Sequence, residues 1–379
     1  MAYDLFLKGR DLYFQGTTES FDKAIPYFKQ AVERDPKFAL AYAGVAMLDY
    51  YRDIFHTEQT HSAEMIAYAD KAMLYDSKLA ESLVAKAMVY MLKKDYESAV
   101  PYLEQALEYN PNSALVIHFL ADLYNLSLPN APKYLEYALK GLQLDVADSS
   151  TTSYTYLHVS NALVQTGFID EALTYINKSL AYNPKNPFSG YLKPFILFAK
   201  SKDAEQTKKL LQVELRKDSN RVDVLTVLAS VYYSTRDYDA AYGCYKKIIA
   251  IRESQHLDLF KNENLAMGIV YHKKGLHEKG DELIKSFKDF ADHDRSLYKN
   301  LHLTFYYCYK NDVATAMKHL RLFSKEDNFQ YWVLLLPNEP TLDPIKDLPE
   351  FKDIMRTIDK KFWDRHDVIK ERLEEQGLL

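Results

Sequence analysis

Thirteen residues, written three times over, constrain this chain more than anything else in it. Residues 24–36 read Ala-Ile-Pro-Tyr-Phe-Lys-Gln-Ala-Val-Glu-Arg-Asp-Pro, residues 99–111 read Ala-Val-Pro-Tyr-Leu-Glu-Gln-Ala-Leu-Glu-Tyr-Asn-Pro, and residues 172–184 read Ala-Leu-Thr-Tyr-Ile-Asn-Lys-Ser-Leu-Ala-Tyr-Asn-Pro. In each copy a small residue, a bulky apolar residue four later and another small residue three after that share one face of a helix: Ala24, Phe28 and Ala31; Ala99, Leu103 and Ala106; Ala172, Ile176 and Ser179. Small side chains on that face let a second helix approach closely. The closing Asp-Pro or Asn-Pro stops the helix, because proline lacks an N–H and restricts the residue before it. A short helix with a fixed stop, repeated, cannot be a stretch of β-sheet.

The stops at Pro36, Pro111 and Pro184 stand 75 and 73 residues apart, so two units of about 34 to 40 residues fit each interval. The unlike units between them end at Ala69, Ala72 and Asp76-Ser77, and at Ala138, Gly141 and Asp145. A first helix recurs as Ala87-x-x-Tyr90, Leu120-Ala121-x-x-Tyr124, Leu228-Ala229-x-x-Tyr232 and Met267-Gly268-x-x-Tyr271. Joined to the second-helix pattern, these residues resemble the tetratricopeptide repeat family, a helix–turn–helix of about 34 residues. The resemblance runs from about Tyr3 to Phe323 and is cleanest where Leu228, Ala229, Tyr232, Tyr238, Ala241 and Tyr245 all fall in register. Departures are a missing first-helix tryptophan, Lys86 where the family has leucine, and a weak match over 188–219. The resemblance implies an all-α fold, a right-handed α-α superhelical solenoid of about nine helix pairs.

Composition agrees with repetition. Hydrophobic residues make up 47% of the 379, while 11 Gly and 13 Pro are too few for a turn-rich β protein. A formal net charge of −5 argues against a phosphate-tracking surface, which needs a dense positive footprint. The two cysteines, Cys244 and Cys308, fall in different repeats and read as buried small hydrophobes rather than a disulfide framework. No run approaches the apolar length of a membrane span, and the opening residues lack a basic stretch followed by an apolar one. The expectation is a reducing, cytoplasmic setting, with neither nucleic acid nor membrane contacted by this chain.

Along the chain, residues 3–14 read as a first helix, residues 52–62 as a loop inserted between paired helices, and 146–153 as a longer polar connection. After Phe323 the pattern changes, which divides the chain into a repeat solenoid at 1–323 and a C-terminal helical cap at 324–379. Residues 328–336 read as a short aromatic helix and 337–344 as a proline-rich loop. Pro349 opens a long helix in which Phe351, Ile354, Met355, Ile358, Phe362, Ile369 and Leu373 form one apolar face. That face suits a cover for the last repeat.

No phosphate loop, no dinucleotide fingerprint, no Gly-x-Ser-x-Gly and no His-Glu-x-x-His occurs. His118 and Asp122 lie four apart on one helix face, but two ligands do not make a metal site. The expectation is no enzyme, no cofactor and no metal. In the family that the repeats resemble, first helices line a concave groove. Projecting that register gives Met47, Tyr50, Met88 and Met91, then His118, Asp122 and Asn125, then Tyr154, His158, Asn161 and Gln165, and Tyr233. Methionines adapt to a partner and amides grip a backbone, so the expected function is a scaffold for a protein or peptide. Packing between repeats is the competing reading for the Met and Tyr residues. The family's Lys-Asn-Arg clamp for a C-terminal carboxylate is not found. The borders at 3–10 and 342–351 resemble those of the C-terminal repeat module of bacterial signalling proteins, which implies as an alternative a regulatory module beside a winged-helix or nucleotide cyclase domain. Leu5, Phe6 and Leu12, near the first residue, invite cover from an upstream domain or from a second copy as a homodimer.

Overall fold

The computed structural model describes residues 1–13, 18–144 and 149–379. The expected helix end at Phe14, the stop at Asp145 and the connection at 146–148 lie outside the described residues. Two units divide the chain. Unit 1 comprises Met1–Leu123 with Gln255–Asp258, and unit 2 comprises Tyr124–Ser254 with Leu259–Leu379.

Unit 1 holds three packed helix pairs and one further helix: α1 (Ala2–Tyr13) with α2 (Thr18–Arg34), α3 (Ala39–Asp53) with α4 (Ser62–Tyr75), α5 (Ala80–Leu92) with α6 (Tyr96–Tyr109), then α7 (Ala114–Asp122). Phe28 of α2 is wedged between Gly9 of α1 and Gly44 of α3. A Cβ at those glycines would stand 2.6 Å and 3.0 Å from its ring, so no larger residue fits unless the ring moves. The loop 54–61 between α3 and α4 is the expected insertion, but it is more than solvated chain. His61 Nδ1 meets the buried Asp53 carboxylate at 2.8 Å, and an isolated antiparallel bridge joins His56 to Leu257.

Unit 2 holds α8 (Ala131–Leu142), the pairs α9 (Ser149–Gln165) with α10 (Ile169–Tyr182), α11 (Pro187–Ser201) with α12 (Ala204–Lys217), α13 (Val222–Ser234) with α14 (Tyr238–Ser254), α15 (Asn264–Lys273) with α16 (His277–His293), and α17 (Lys299–Tyr309) with α18 (Val313–Phe323). The expected long connection before α9 is shorter than its polar composition suggested, because Ser149 already begins the helix. Tight turns inside the pairs pass through left-handed residues: Gly167 and Gly275, but also Lys202, Arg236 and Asn311. The repeat register is observed directly. Ala24, Ala99, Ala172 and Ala241 are fully buried, as are Leu103, Ile176 and Tyr245. The stops work as turns built on the Asx side chain: Asp35 Oδ1 accepts from Lys37 N at 3.1 Å and Asn183 Oδ1 from Lys185 N at 3.1 Å. Burial pushes the Cys244 thiol up to about 11 and that of Cys308 up to about 12, so both stay neutral, Cys308 buried and Cys244 half-buried.

Two expectations need correcting. The first helix at Leu120-Ala121-x-x-Tyr124 does not continue regularly: α7 stops at Asp122 and the chain runs on as a π-helical turn, Leu123–Ser127. Tyr124 then stacks on Tyr137 of α8, with centroids 5.7 Å apart. The second correction concerns the C-terminus. The short aromatic helix expected at 328–336 is a 3-10 helix at Tyr331–Asn338, and the loop expected at 337–344 contains a second 3-10 turn, Pro340–Leu342. The long helix α19 (Pro349–Glu375) covers more than the last pair. Glu350 pairs with Arg321 of α18, and Lys361 Nζ donates to the Ser324, Lys325 and Glu326 carbonyls at 3.0–3.2 Å. Further on, His366 Nδ1–H donates to the Thr166 carbonyl at 2.9 Å and its ring stacks on Phe168. The turn after α9 thus also supports α19, a contact that no local pattern encodes.

Candidate functional site

The first helices of the pairs, with α7 and the π-helical turn that follows it, carry the residues expected in the groove. In unit 1, Met47 and Tyr50 of α3 and Met88 and Met91 of α5 are buried. Their side chains fill the space between helices rather than an open surface, so the packing reading describes them. His118 of α7 is half-buried. Asp122 at the end of α7 keeps access to water, yet protein crowds its carboxylate. The lost hydration pushes that carboxyl up to about 6, with His118 pulling it the other way. The phenols of Tyr50 and Tyr51 lie within reach of its charge. Among the described residues no three His, Cys, Asp or Glu side chains gather where they could hold one metal ion, and His118 with Asp122 carries no metal reading.

In unit 2 the expected residues divide again. Tyr154 of α9 is 38% exposed and meets Phe188 of α11 edge-on at 5.8 Å, with the Arg221 guanidinium over the Phe188 ring. His158 is buried, and loss of solvent pushes its imidazole down to about 4, which keeps it neutral beside the Tyr134 hydroxyl at 3.2 Å. Asn161 Nδ2 donates to that same hydroxyl at 3.2 Å. Gln165 Nε2 reaches Asn161 Oδ1 at 3.5 Å, and Gln165 Oε1 is buried with no partner. Tyr233 of α13 is buried, its hydroxyl 3.0 Å from Thr341 Oγ1. The groove expectation of open, accessible side chains therefore does not hold for Met47, Tyr50, Met88, Met91, His158 and Tyr233.

What covers the first helices of unit 2 is the chain itself. Gln330 Nε2 donates to the main-chain carbonyl of Asn125 at 3.1 Å and to its Oδ1 at 3.3 Å. Lys202 Nζ, just past α11, donates to the Tyr331 hydroxyl at 2.6 Å, and that hydroxyl points at the Ala199 carbonyl at 3.4 Å. Arg236, just past α13, grips Asp343 through one nitrogen at 2.7 Å and 2.8 Å. Sequence reasoning missed this arrangement. The available signal was the polar residues Gln330, Thr341 and Asp343 flanking the most apolar short stretch in the chain, a composition suited to binding a surface rather than to filling a core.

Comparison with known proteins fits this geometry. Models of the tetratricopeptide repeat match residues 13–38, 80–113 and 224–255. The TPR repeat-containing protein YpiA of Bacillus subtilis (strain 168) is 28% identical over 240 residues, 60% of this chain, and the chain spans about half the length of that relative. Among solved structures, the APC/C hetero-tetramer Cut9-Hcn1 is similar over 93% of this chain and 55% of that one, with a TM-score of 0.53 and 14% identity. A tetratricopeptide repeat protein from Parabacteroides merdae ATCC 43184 covers 74% of this chain at 16% identity, 98% of its own length being covered, with a TM-score of 0.47. With its thrice-written stop, its buried alanine register and these matches, the chain carries tetratricopeptide repeats at residues 13–38, 80–113 and 224–255.

Proposed function

We propose that this chain is a non-catalytic scaffold that binds an extended segment of a protein partner along the first helices of its repeats. In this reading residues 1–323 supply the repeats and residues 324–379 a C-terminal element that modifies their surface. The observation that carries it is the way Gln330 holds Asn125, with a side-chain amide on a main-chain carbonyl. Side-chain amides and hydroxyls on these helices offer the bonds that an extended backbone needs, and flanking aromatics add apolar area. Within unit 2, Asn125, Tyr154, Asn161 and Gln165 are the residues proposed to meet the partner, with Phe188 beside Tyr154.

Affinity capture from the source cell tests this reading. The full chain is compared with the double variant Tyr154→Ala, Phe188→Ala, which changes exposed side chains of unit 2 and leaves the alanine register intact. A protein retained by the unaltered chain and lost by the variant, at equal melting temperature, supports the reading. Equal retention by both moves the binding surface elsewhere.

A further inference from the structure

Residues 328–346 bury apolar side chains, Val333, Leu342 and Ile345 among them, but they also make polar contacts of the kind a bound peptide makes. Core residues of this chain meet through apolar area, as Ala241, Tyr245, Ile248, Met267 and Val270 do. The C-terminal segment adds side-chain hydrogen bonds at intervals, to Asn125 after α7, to Lys202 after α11, and to Tyr233 of α13 and Arg236 after it. Gln330 uses its whole amide: Nε2 on Asn125, and Oε1 accepting from Tyr298 Oη at 2.9 Å and Trp332 Nε1 at 3.0 Å. Tyr331 takes Lys202 both at its hydroxyl and over its ring, 4.8 Å from the centroid. Thr341 meets Tyr233, and Asp343 meets Arg236. Polar contacts of this kind typify surfaces that associate and part.

The same contact contains an element that works against it. Glu339 of the segment and Glu263, on the 3-10 turn before α15, are each pushed above the usual carboxylate range, first by burial and then, for Glu263, by the charge of Glu339. The groups facing this pair are Ser230, which donates to Glu263 at 3.2 Å, Thr341, which donates to Glu339 at 2.7 Å, and the charged Asp343 and Arg236. Tyr233 and Tyr245 complete the surroundings. The Tyr245 hydroxyl is buried with no partner. Like charges crowded together raise the cost of keeping both ionised, so the charge of Glu339 works against the contact it belongs to.

We propose that residues 328–346 are a ligand held in cis, and that this face of unit 2 accepts from a protein partner a segment of the same chemistry. That segment presents an amide followed at once by a phenol, then a hydroxyl and a carboxylate eleven and thirteen residues after the amide. Asn125 reads the amide, Lys202 the phenol, Tyr233 the hydroxyl and Arg236 the carboxylate. A partner that carries a neutral residue in place of Glu339 escapes the repulsion from Glu263 and displaces the chain's own segment. This rests on the scaffold reading and names the class of partner for it.

The test uses the full chain with Trp363→Phe, which leaves Trp332 as its one tryptophan, and a synthetic peptide of residues 328–346 with Trp332→Phe. Peptide binding is followed by anisotropy of a labelled peptide, and release of the cis segment by the emission of Trp332. The expected result is saturable binding with a red shift of Trp332 on the same curve, and none with a scrambled peptide. The Glu339→Gln peptide binds about tenfold or more tighter at pH 8, and the gap closes at pH 5. Because a tethered segment competes at high effective concentration, the chain with Gln330→Ala and Asp343→Ala is measured beside it and takes up the unaltered peptide at least tenfold better. Hydrogen exchange of the unaltered chain needs no variant: amides of 331–343 exchange at least tenfold faster than those of α13. Exchange as slow as in α13, or a helical double variant that takes up no more peptide than scrambled control, overturns the proposal. If either occurs while partner capture still depends on Tyr154 and Phe188, the scaffold reading stands and the segment is a fixed part of the fold.

Discussion

The first helices of unit 1 and of unit 2 lose their exposure by different means. In unit 1 the residues that the register aimed at a groove, Met47, Tyr50, Met88 and Met91, are buried within the repeats. In unit 2 the corresponding positions are polar, and Asn125 and Tyr233 are met by Gln330 and Thr341 from far along the chain. Apolar closure follows from side chains at helical spacing, so its elements are neighbours in sequence. Polar closure depends on partners matched one to one, which can come from anywhere.

The sharpest way to break this comparison is to remove apolar area where closure depends on it. Leu103, fully buried in α6, sits in the register between Ala99 and Ala106. Leu103→Ala leaves a cavity and is expected to lower stability by about 2–5 kcal/mol, read by chemical denaturation. A cost below about 1 kcal/mol would mean that unit 1 does not depend on its repeat register.

The buried alanines, the Asx turns and the eight packed pairs among the described residues were legible because each is written within one or two helical turns. The π-helical turn at Leu123–Ser127 was not, since Leu120, Ala121 and Tyr124 fit an ordinary helix equally well. The burial of Met88 and the exposure of Tyr154 were equally out of reach, because periodicity says which residues share a face but not what lies against it. The path of 331–343 depends on Asn125, Lys202 and Arg236, and the sequence pattern puts no mark on them. Lys202 and Arg236 hold left-handed conformations that glycine fills in neighbouring turns, a visible oddity whose meaning needed the structure.

A second, smaller test exchanges the third position of the repeated stretch. Ser179 stands where the earlier copies have Ala31 and Ala106. Its hydroxyl donates to the Ser153 carbonyl at 2.6 Å and lies 2.7 Å from Ser189 Oγ. Asn186 Nδ2 donates to Ser153 Oγ at 2.9 Å, which ties α9, the turn before α11 and α10 together. Ser179→Ala is expected to cost about 1 kcal/mol through the lost bond. Ala106→Ser, which buries a hydroxyl on an apolar face, is expected to cost about 1–3 kcal/mol unless it bonds back to its own helix. Equal and negligible effects at both sites, measured by thermal unfolding, would erase the distinction between the copies.

The smallest expected effect concerns pH, because each unit has carboxyls held above their ordinary value. Glu263 in unit 2 is pushed up to about 7 and Asp122 in unit 1 up to about 6, in both cases chiefly by loss of hydration. A carboxyl raised in the folded state binds its proton more tightly there than in the unfolded chain. The stability it supplies is therefore complete below the unfolded value and is lost as pH rises through the folded one. For Asp122 that window runs from about 4 to about 6, and for Glu263 from between 4 and 5 to about 7. Asp122 keeps contact with solvent, which screens it, so its share is the smaller of the two. Glu263→Gln should flatten the fall in melting temperature between pH 5 and pH 8 visibly, and Asp122→Asn only slightly and at lower pH. Carboxyl-carbon NMR gives the direct check, with titration midpoints near 7 and near 6. A midpoint near 4 for Asp122 would show its carboxylate fully hydrated, and would return the first helices of unit 1 to an open groove.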